Sequence, residues 1–223
     1  MRHACIKCKG SPNIKINVLL YCNECFIKAF ENKVFKTITK VTPNTKICVF
    51  LDESSFSIVL YNLLYKYFKD RPFGKLAIFC ENSSIFKFND RFDFVNPALS
   101  KQDFETTRND RAVDFLENNG YDIFIYPESL ESIVLKSLEL VCLGKGREAV
   151  ERCSFQNAAV INPFREIKNK EICYYIYLNK IKTIAKASEK SDIAAVLLNF
   201  LSEVDGKNGL ALFNVLSTFK KLD

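Results

Sequence analysis

The chain has 223 residues, 48% hydrophobic and 26% charged, a balance ordinary for a soluble globular protein with one main domain and a small appendage. No apolar run approaches the ~20 residues of a membrane-spanning helix, so we expect no membrane segment. Nine cysteines and no secretory signal predict a reducing compartment such as the cytoplasm, where thiols serve as metal ligands or core residues rather than as disulfides.

The net charge of +6 lies at the beginning of the chain. Residues 1–45 hold eight basic side chains against two glutamates, whereas residues 46–223 hold 24 basic against 24 acidic side chains. A basic end on a neutral body predicts a polyanionic partner, nucleic acid first.

Two C-x2-C pairs lie within this basic end. Cys5 and Cys8 are followed, thirteen residues later, by Cys22 and Cys25. This spacing is typical of zinc ribbons and treble clefs, in which four thiolates surround one Zn²⁺. The run INVLLY (16–21) between the pairs predicts a short hairpin. His3 is an alternative ligand, and four unrelated buried cysteines are the competing interpretation. Because four cysteines close the coordination shell, we expect structural rather than catalytic zinc.

A helix is predicted over residues 26–40. Its apolar residues recur at four-residue steps and form a stripe on one face: Phe26, Phe30, Val34 and Ile38. Its lysines fall on another face: Lys33, Lys36 and Lys40, with Lys28 less well aligned with that face. The lysines form either a solvated face or a ridge that contacts phosphates. The charge asymmetry favours the ridge. VTPNT (41–45) ends the helix, so we predict a zinc module at 1–41 and a second domain at 42–223.

The stretch VFLDESSF (49–56) joins a predicted strand, 46–51, to a predicted helix, 54–69. Nucleotide-binding proteins place glycines in such a strand–turn–helix, because free backbone amides there bind phosphate. This turn has no glycine and two carboxylates, Asp52 and Glu53. At a surface-like effective dielectric, a pair of like charges about 4 Å apart costs about 4 kcal/mol. The turn either never bound phosphate or has lost the ability.

The rest of the chain alternates strands and helices. Further strands are predicted at 75–80, 121–126 and 158–164. A polar loop is predicted from 81 to about 97, and helices at 100–119, from Pro127 to the LGKG sequence (143–146), at 166–179, and twice more towards the end. This alternation predicts a parallel, doubly wound α/β sheet whose ligands bind beyond the carboxyl ends of the strands.

Five cysteines lie outside the predicted zinc module. Cys48, Cys80, Cys142, Cys153 and Cys173 show no C-x2-C spacing, so we expect small core residues, and Cys142 is the one to test for reactivity. His3 is the only histidine, so the sequence offers almost no choice of base for a Cys/His or Ser/His nucleophile. We therefore predict no catalytic residue.

Several blocks together resemble a known family, the cytoplasmic tRNA 2-thiolation proteins. They are CIKCKG…YCNECFIKAFENKVFK, GYDIFIYPESLESIVLKSLELVCLGKG, INPFREIKNKEICYYIYLNK and AKASEKSDIAAVLLNFLSEV, in that order. They are similar to the family's N-terminal module, its glycine-tyrosine strand with the L-G-R-G block, its P-(L/M)-R-(D/E)-x-x-x-K-E block and its C-terminal helices. The sequence is most similar to the non-catalytic second protein, over nearly its whole length, although it lacks the long insertions of most members.

This resemblance implies a Rossmann-like ATP-pyrophosphatase fold and a heterodimer with the catalytic thiolation subunit. That pair moves sulfur from a thiocarboxylated ubiquitin-like carrier to the wobble uridine of tRNA. The catalytic subunit's S-G-G-x-D-S loop is commonly S-G-G-P-S-S in the second protein. Here the corresponding residues are Asp52, Glu53, Ser54, Ser55, Phe56 and Ser57, so only the last serine is retained. Without the glycines we expect no ATP at this loop, even if Mg²⁺ bridged a carboxylate.

Four basic groups of the body are further candidates for contacts with tRNA or the partner subunit: Lys145, Arg147, Arg165 and Lys170. The alternative interpretation is that LGKG is a helix C-cap with a solvated lysine and that Arg165 pairs with a neighbouring carboxylate. We therefore predict a non-catalytic subunit of the thiolase. The alternatives are an active, diverged ATP-dependent tRNA sulfurtransferase and a zinc-ribbon interaction module of an unrelated nuclear assembly.

Overall fold

The computed structural model describes residues 4–38, 41–71, 73–80, 86, 92–95, 118–154, 159–183 and 191–222. Within these ranges the strands are β1 (Ile14–Ile16), β2 (Leu19–Tyr21), β3 (Lys46–Phe50), β4 (Lys75–Phe79), β5 (Asp93–Val95), β6 (Ile123–Ile125) and β7 (Val160–Ile161). The helices are α1 (Asn23–Thr37), α2 (Ser55–Phe68), α3 (Leu130–Cys142), α4 (Gly146–Ser154), α5 (Asn169–Asn179), α6 (Asp192–Lys207) and α7 (Ala211–Lys220).

Strands β3 to β7 form one parallel sheet in the order β5-β4-β3-β6-β7, while β1 and β2 pair as a separate antiparallel hairpin. Cys48 at the centre of β3 lies opposite Ala77 of β4 and Phe124 of β6. After β3 the chain adds β4 and then β5 on one side of the sheet. It then returns to the other side of β3 and adds β6 and β7. The order therefore reverses between β3 and β6, which is where sheets of this kind bind ligands.

Both faces of the sheet are apolar, because alternate residues of a strand point to opposite sides. Ile47, Val49 and Leu51 join one core, to which α1, α2 and α5 contribute their buried faces. Cys48 packs on the other face with Ala77 and neighbouring aromatic residues. Helices α3, α4, α6 and α7 enclose a further apolar cluster that includes Leu130, Ala149, Leu201 and Leu216.

The structure confirms the predicted α/β fold, the hairpin within 16–21 and the strand–turn–helix at 46–69. Several details differ. Helix α1, predicted at 26–40, is Asn23–Thr37, and the strand predicted at 158–164 is only Val160–Ile161. Helix α4 and strand β5 were not predicted; α4 is short and mostly charged, and β5 has only three residues, so neither carries a strong periodic pattern. Helix α3 begins at Leu130 rather than at Pro127, because Ser129 is its N-cap. Most of the helix predicted at 100–119, and most of the loop at 81–97, lie outside the described residues.

Among the described helices, none combines the length and the hydropathy that crossing a bilayer requires.

Candidate metal centre and the turn at the sheet switch point

The four cysteines of the two C-x2-C pairs converge on one point. Their Sγ atoms all lie within 4.8 Å of one another, and those of Cys8 and Cys22 are 3.6 Å apart. Four sulfurs about 2.3 Å from a central ion would lie about 3.8 Å from one another in a tetrahedron. The spacing therefore fits a single tetrahedral ion, although binding itself stays a prediction. No other such group of three or more His, Cys, Asp or Glu side chains occurs in the described ranges.

Local backbone geometry brings the two pairs together. The first pair lies on a tight turn in which the Cys5 N–H donates to the carbonyl of Gly10 at 2.8 Å, with Lys9 in the left-handed region at φ 65°. The second pair begins α1, because Cys22 is its N-cap and its carbonyl accepts from Phe26 N–H at 2.9 Å. Thiolates near a helix N-terminus are stabilised by the helix dipole. The start of α1 thus places a favourable dipole beside the second pair of sulfurs.

The thiols of the group are electrostatically unequal. Backbone hydrogen bonds, that of Cys8 first, lower the pKa of Cys5 to about 6 although burial opposes them. The pKa of Cys25 is raised to about 12, first by its hydrogen bond with Cys22 and then by burial. Four negative sulfurs at these distances repel one another, so they cannot all ionise together without a cation. A metal ion would lift that repulsion, and its binding should release protons.

Helix α1 packs the cysteine module onto the sheet domain. The predicted apolar stripe is buried, since Phe26, Phe30, Val34 and Ile38 each expose 2% or less of their surface. The Phe30 ring stacks on that of Tyr175 in α5, with centroids 4.5 Å apart. The predicted division at residue 41 therefore separates the metal ligands from the sheet, but one apolar core extends across it.

A buried carboxylate on α1 reinforces this packing. Glu31 is 7% exposed, and Lys66 of α2 donates to both of its oxygens at 2.8 Å. The Tyr175 hydroxyl donates to Oε1 at 2.9 Å. The sequence gives no sign that Glu31 is buried, because its position between α2 and α5 depends on contacts far along the chain.

The tip of the β1–β2 hairpin packs against the loop between α6 and α7, near the end of the sequence. A Cβ on Gly209, in the loop between α6 and α7, would lie 3.1 Å from Oδ1 of Asn17. The same loop is held by Lys168, whose Nζ donates to the Gly209 carbonyl at 2.6 Å and to both oxygens of Asp205. The cysteine module thus contacts the body through both its helix and its hairpin.

The turn after β3 lies at the switch point of the sheet, but its polar groups bond to one another. The Asp52 carboxylate accepts from the Ser54 backbone N–H at 3.0 Å and from the Ser57 hydroxyl at 2.6 Å. The Asp52 N–H donates to Ser57 Oγ at 2.9 Å, and Ser54 caps α2 by accepting from the Ser57 N–H at 3.2 Å. Groups that would bind a phosphate in a glycine-rich turn therefore bind an aspartate of the chain.

The segment of chain that forms the turn carries two carboxylates of its own. Glu53 and Ser55 are partly exposed beside this network, and no lysine or arginine lies between Asp52 and Ser57 in the sequence. Ser57 is fully buried, and its hydroxyl donates to Asp52. Both the charge and the hydrogen bonding of the turn oppose a bound phosphate.

The lysines predicted to form a ridge on α1 have different environments. Lys33 lies against the body: its Nζ donates to the Glu166 carbonyl at 2.6 Å and is 3.6 Å from Glu171. Lys28 and Lys36 are exposed, and Lys40 lies outside the described residues. The contact of these lysines with RNA stays a prediction, and the position of Lys33 makes it a packing residue in this structure.

The basic residues of the body are also largely engaged. Arg165 is only 8% exposed and donates to the Cys153 carbonyl, a placement at odds with an RNA contact. Lys145 and Arg147 are exposed and pair with Glu148 and Glu151 at 3.4 and 3.0 Å. Lys170 is exposed, 5.8 Å from the centre of the Tyr174 ring. Gly144, at φ 76°, ends α3, so the LGKG sequence is a helix C-cap.

The five other cysteines do not cluster. Cys48, Cys80 and Cys153 are buried, as expected for core residues, and burial raises the pKa of each thiol. Cys173 was expected in the core and is exposed, because the buried side of α5 carries Ile172 and Tyr175 instead. Cys142 is exposed at the end of α3.

Comparison with known proteins gives a likeness in fold. No family model and no curated protein sequence matches the chain. Among solved structures, the chain is similar to the U34-tRNA thiolase NcsA from Methanococcus maripaludis, a structure with its [4Fe-4S] cluster. The match has a TM-score of 0.75 at 15% identity and covers 99% of this chain and 87% of that one.

Proposed function

We propose that this protein is an accessory subunit of the machinery that thiolates the wobble uridine of tRNA. In this role it binds tRNA and a catalytic thiolase subunit as a heterodimer and performs no adenylation itself. The thiolase subunit receives sulfur from a ubiquitin-like carrier, which this chain meets only through the complex. The likeness in fold to a tRNA thiolase over 99% of the chain supports the pathway.

The observation that carries the accessory role is the closed turn at the switch point. In this fold the turn after β3 is where a nucleotide phosphate would lie. Here the Ser54 N–H and the Ser57 hydroxyl donate to Asp52 at 3.0 and 2.6 Å. A phosphate would have to displace a carboxylate and then sit beside its negative charge. The chain thus keeps the scaffold of the site without its phosphate-binding capacity.

We further propose that the four-cysteine centre holds structural zinc. The similar thiolase carries a [4Fe-4S] cluster, and four cysteines can hold either group. The irons of a four-iron cube are spread apart, so its cysteine sulfurs lie farther apart than those around one ion. The sulfurs here lie within 4.8 Å of one another, which favours the single ion. Bound zinc would fix the two cysteine turns and supply no chemistry to substrate.

Deletion of the gene in its host, followed by mass spectrometry of tRNA nucleosides, tests the function. We expect 2-thiouridine to disappear from the wobble position and to return when the gene is restored. Unchanged 2-thiouridine would contradict a role in thiolation. Affinity capture that recovers polymerase subunits, and no thiolation partner, would favour the unrelated zinc-ribbon assembly.

The purified chain distinguishes an accessory subunit from an enzyme. We expect no ATP–pyrophosphate exchange and no tRNA-dependent release of AMP by the chain alone. A higher rate of AMP release by the catalytic subunit when this chain is added, compared with the catalytic subunit alone, would support the heterodimer. AMP release by the isolated chain would instead establish a diverged active sulfurtransferase.

A further inference from the structure

Three lysines on the cysteine module are exposed and have no partner within the described part of the chain. Lys7 and Lys9 flank Cys8 on the first turn, and Lys15 lies at the centre of β1. No hydrogen bond or ion pair of their side chains occurs among the residues described, and residues 4–21 contain no aspartate or glutamate. These ammonium groups are exposed to water. Four thiolates with one Zn²⁺ would offset two positive charges, and the first 45 residues, with eight basic and two acidic side chains, would still be basic.

The fold of the module brings the three lysines to one region. The Ile6 N–H donates to the Leu20 carbonyl at 2.9 Å, which places the first cysteine turn alongside β2. Leu20 in turn lies opposite Lys15 in the β1–β2 pair. Lys15 is thus two strand spacings, on the order of 10 Å, from the turn that carries Lys7. Long lysine side chains at this separation can contact several phosphates of one strand at once.

The lysines predicted as the RNA-contacting ridge differ from these three. Lys33 is held by Glu166 and Glu171, and its Nζ lies 6.0 Å from the centre of the Phe213 ring. An RNA contact by Lys33 would have to break its packing against the body. Lys7, Lys9 and Lys15 can contact a phosphate without losing a partner among the residues that the structure describes.

We infer that the surface formed by Lys7, Lys9 and Lys15, here called the knuckle surface, is where this protein contacts the RNA phosphate backbone. This inference rests on the proposed role in tRNA thiolation and assigns that role a binding surface. Because lysines on a fixed hairpin and turn contact phosphates rather than base edges, the knuckle surface contributes affinity and orientation rather than sequence specificity. The bound metal, by fixing the turn, fixes the positions of Lys7 and Lys9.

An anionic membrane is the other surface that exposed lysines can bind. Membrane-surface elements combine lysines with an apolar face rich in Trp, Phe or Leu, usually on one amphipathic helix. Among residues 4–38 the exposed large apolar side chains are Ile6, Val18 and Leu19, none of them lies on an amphipathic helix, and no Phe or Tyr is exposed. The observations therefore favour RNA.

The test measures the affinity of an in vitro transcribed tRNA with uridine at the wobble position, by fluorescence anisotropy at several salt concentrations. The test variant is Lys7→Gln/Lys9→Gln/Lys15→Gln. Its matched control is Lys46→Gln/Lys182→Gln/Lys221→Gln, which removes the same charge from exposed positions elsewhere. We expect the test variant to bind at least ~10-fold more weakly and to lose about 2–3 from the slope of log K against log salt, while the control stays within ~2-fold of wild type. Metal content equal to wild type shows that the test variant is folded.

The outcomes separate this inference from the proposed function. If wild type binds no tRNA, the RNA-binding part of the proposed function fails. If wild type binds and the test variant retains its affinity and salt slope, only the knuckle surface is wrong. Equal losses of tRNA affinity in both triple variants would indicate attraction by net charge alone. A loss of affinity confined to a further variant, Lys28→Gln/Lys36→Gln, would place the contact on α1. Either result overturns the inference. So would lysine-dependent binding to vesicles of 30% phosphatidylserine without binding to tRNA.

Discussion

The four-cysteine centre and the turn at the switch point are two places where a protein of this fold can hold a ligand, and their polar groups are arranged in opposite ways. In the centre, four sulfurs face one another within 4.8 Å, and no basic side chain is among them. In the turn, the donors are satisfied by Asp52. Four thiolates held this close together need a bound cation. Hydrogen-bond donors that already bond to a carboxylate of the chain are not available to a phosphate.

Loss of a metal ligand should have the largest effect of any single substitution. Cys22→Ser removes one sulfur from the centre but places serine, a favourable N-cap residue, at the start of α1, so its effect reports the lost sulfur and not a lost cap. Structural zinc supplies much of the folding energy of a small module. We expect the melting temperature to fall by roughly 10 °C or more, with loss of bound metal and of hydrogen-exchange protection in residues 5–38.

Cys142→Ser is the matched control, because Cys142 is exposed and lies outside the group. It should retain the metal and melt within ~2 °C of wild type. Metal content in Cys22→Ser equal to that of wild type would refute the ligand assignment. Loss of metal with an unchanged melting temperature would show that the module folds independently of the body.

Removing the charge of Glu31 tests how firmly the cysteine module is bound to the sheet domain. Glu31→Gln leaves Lys66 and the Tyr175 hydroxyl without their carboxylate. Because the Lys66 side chain is 59% exposed, water compensates part of the loss, and we expect the free energy of unfolding to fall by about 1–2 kcal/mol. Glu24→Gln on the exposed side of the same helix should cost less than about 0.5 kcal/mol. Equal effects in urea unfolding would contradict the buried network.

The turn should depend on Asp52 for stability. Asp52→Ala leaves the Ser54 N–H and the Ser57 hydroxyl without their acceptor at the start of α2. Losses of capping interactions of this kind cost about 1 kcal/mol, and we expect that decrease in the free energy of unfolding. Ser55→Ala, one residue into α2, should change it by less than about 0.5 kcal/mol. A stability equal to wild type in Asp52→Ala would show that the turn is not held by this carboxylate.

The smallest expected effect is a dependence on alkaline pH. Burial, and then the negative charge of Glu31, raise the pKa of Tyr175. The neutral phenol is therefore favoured in the folded state, and its contribution is complete below about pH 10, the unfolded value, and is lost as the pH rises above it. Between pH 10 and 10.5 we expect the unfolding free energy of wild type to fall by up to about 0.5 kcal/mol more than that of Tyr175→Phe. Parallel curves for the two proteins would contradict this.

The sequence predicts the features that have short-range signals. Paired cysteines and the buried run at 46–51 predict the cysteine module and the central strand, and the helix predicted to begin at residue 54 begins one residue later, at Ser55. The absence of glycine in the turn also predicts its poor fit to phosphate. What the sequence does not show is that Asp52 itself takes the hydrogen bonds of the turn, because that depends on the path of the backbone.

Long-range contacts explain the failures. Lys33 looks like a surface lysine in its helix, and only the approach of α5 brings Glu171 and the Glu166 carbonyl to it. Arg165 is buried because α4, a helix absent from the prediction, ends beside it and presents the Cys153 carbonyl. Cys173 is exposed because α5 turns its other side towards α1. Residue type alone does not decide which face of a helix is covered.

Titration of the metal-loaded chain with Mg²⁺-ATP in an isothermal calorimeter tests directly whether the turn after β3 binds a nucleotide. Because Asp52 already takes the hydrogen bonds of the turn, we expect no saturable binding up to 1 mM nucleotide, roughly the limit of weak specific binding, with the metal still present in the protein. Saturable binding of ATP that is abolished by substitutions at Asp52 or Ser57 would show that the turn holds a nucleotide and would contradict the account.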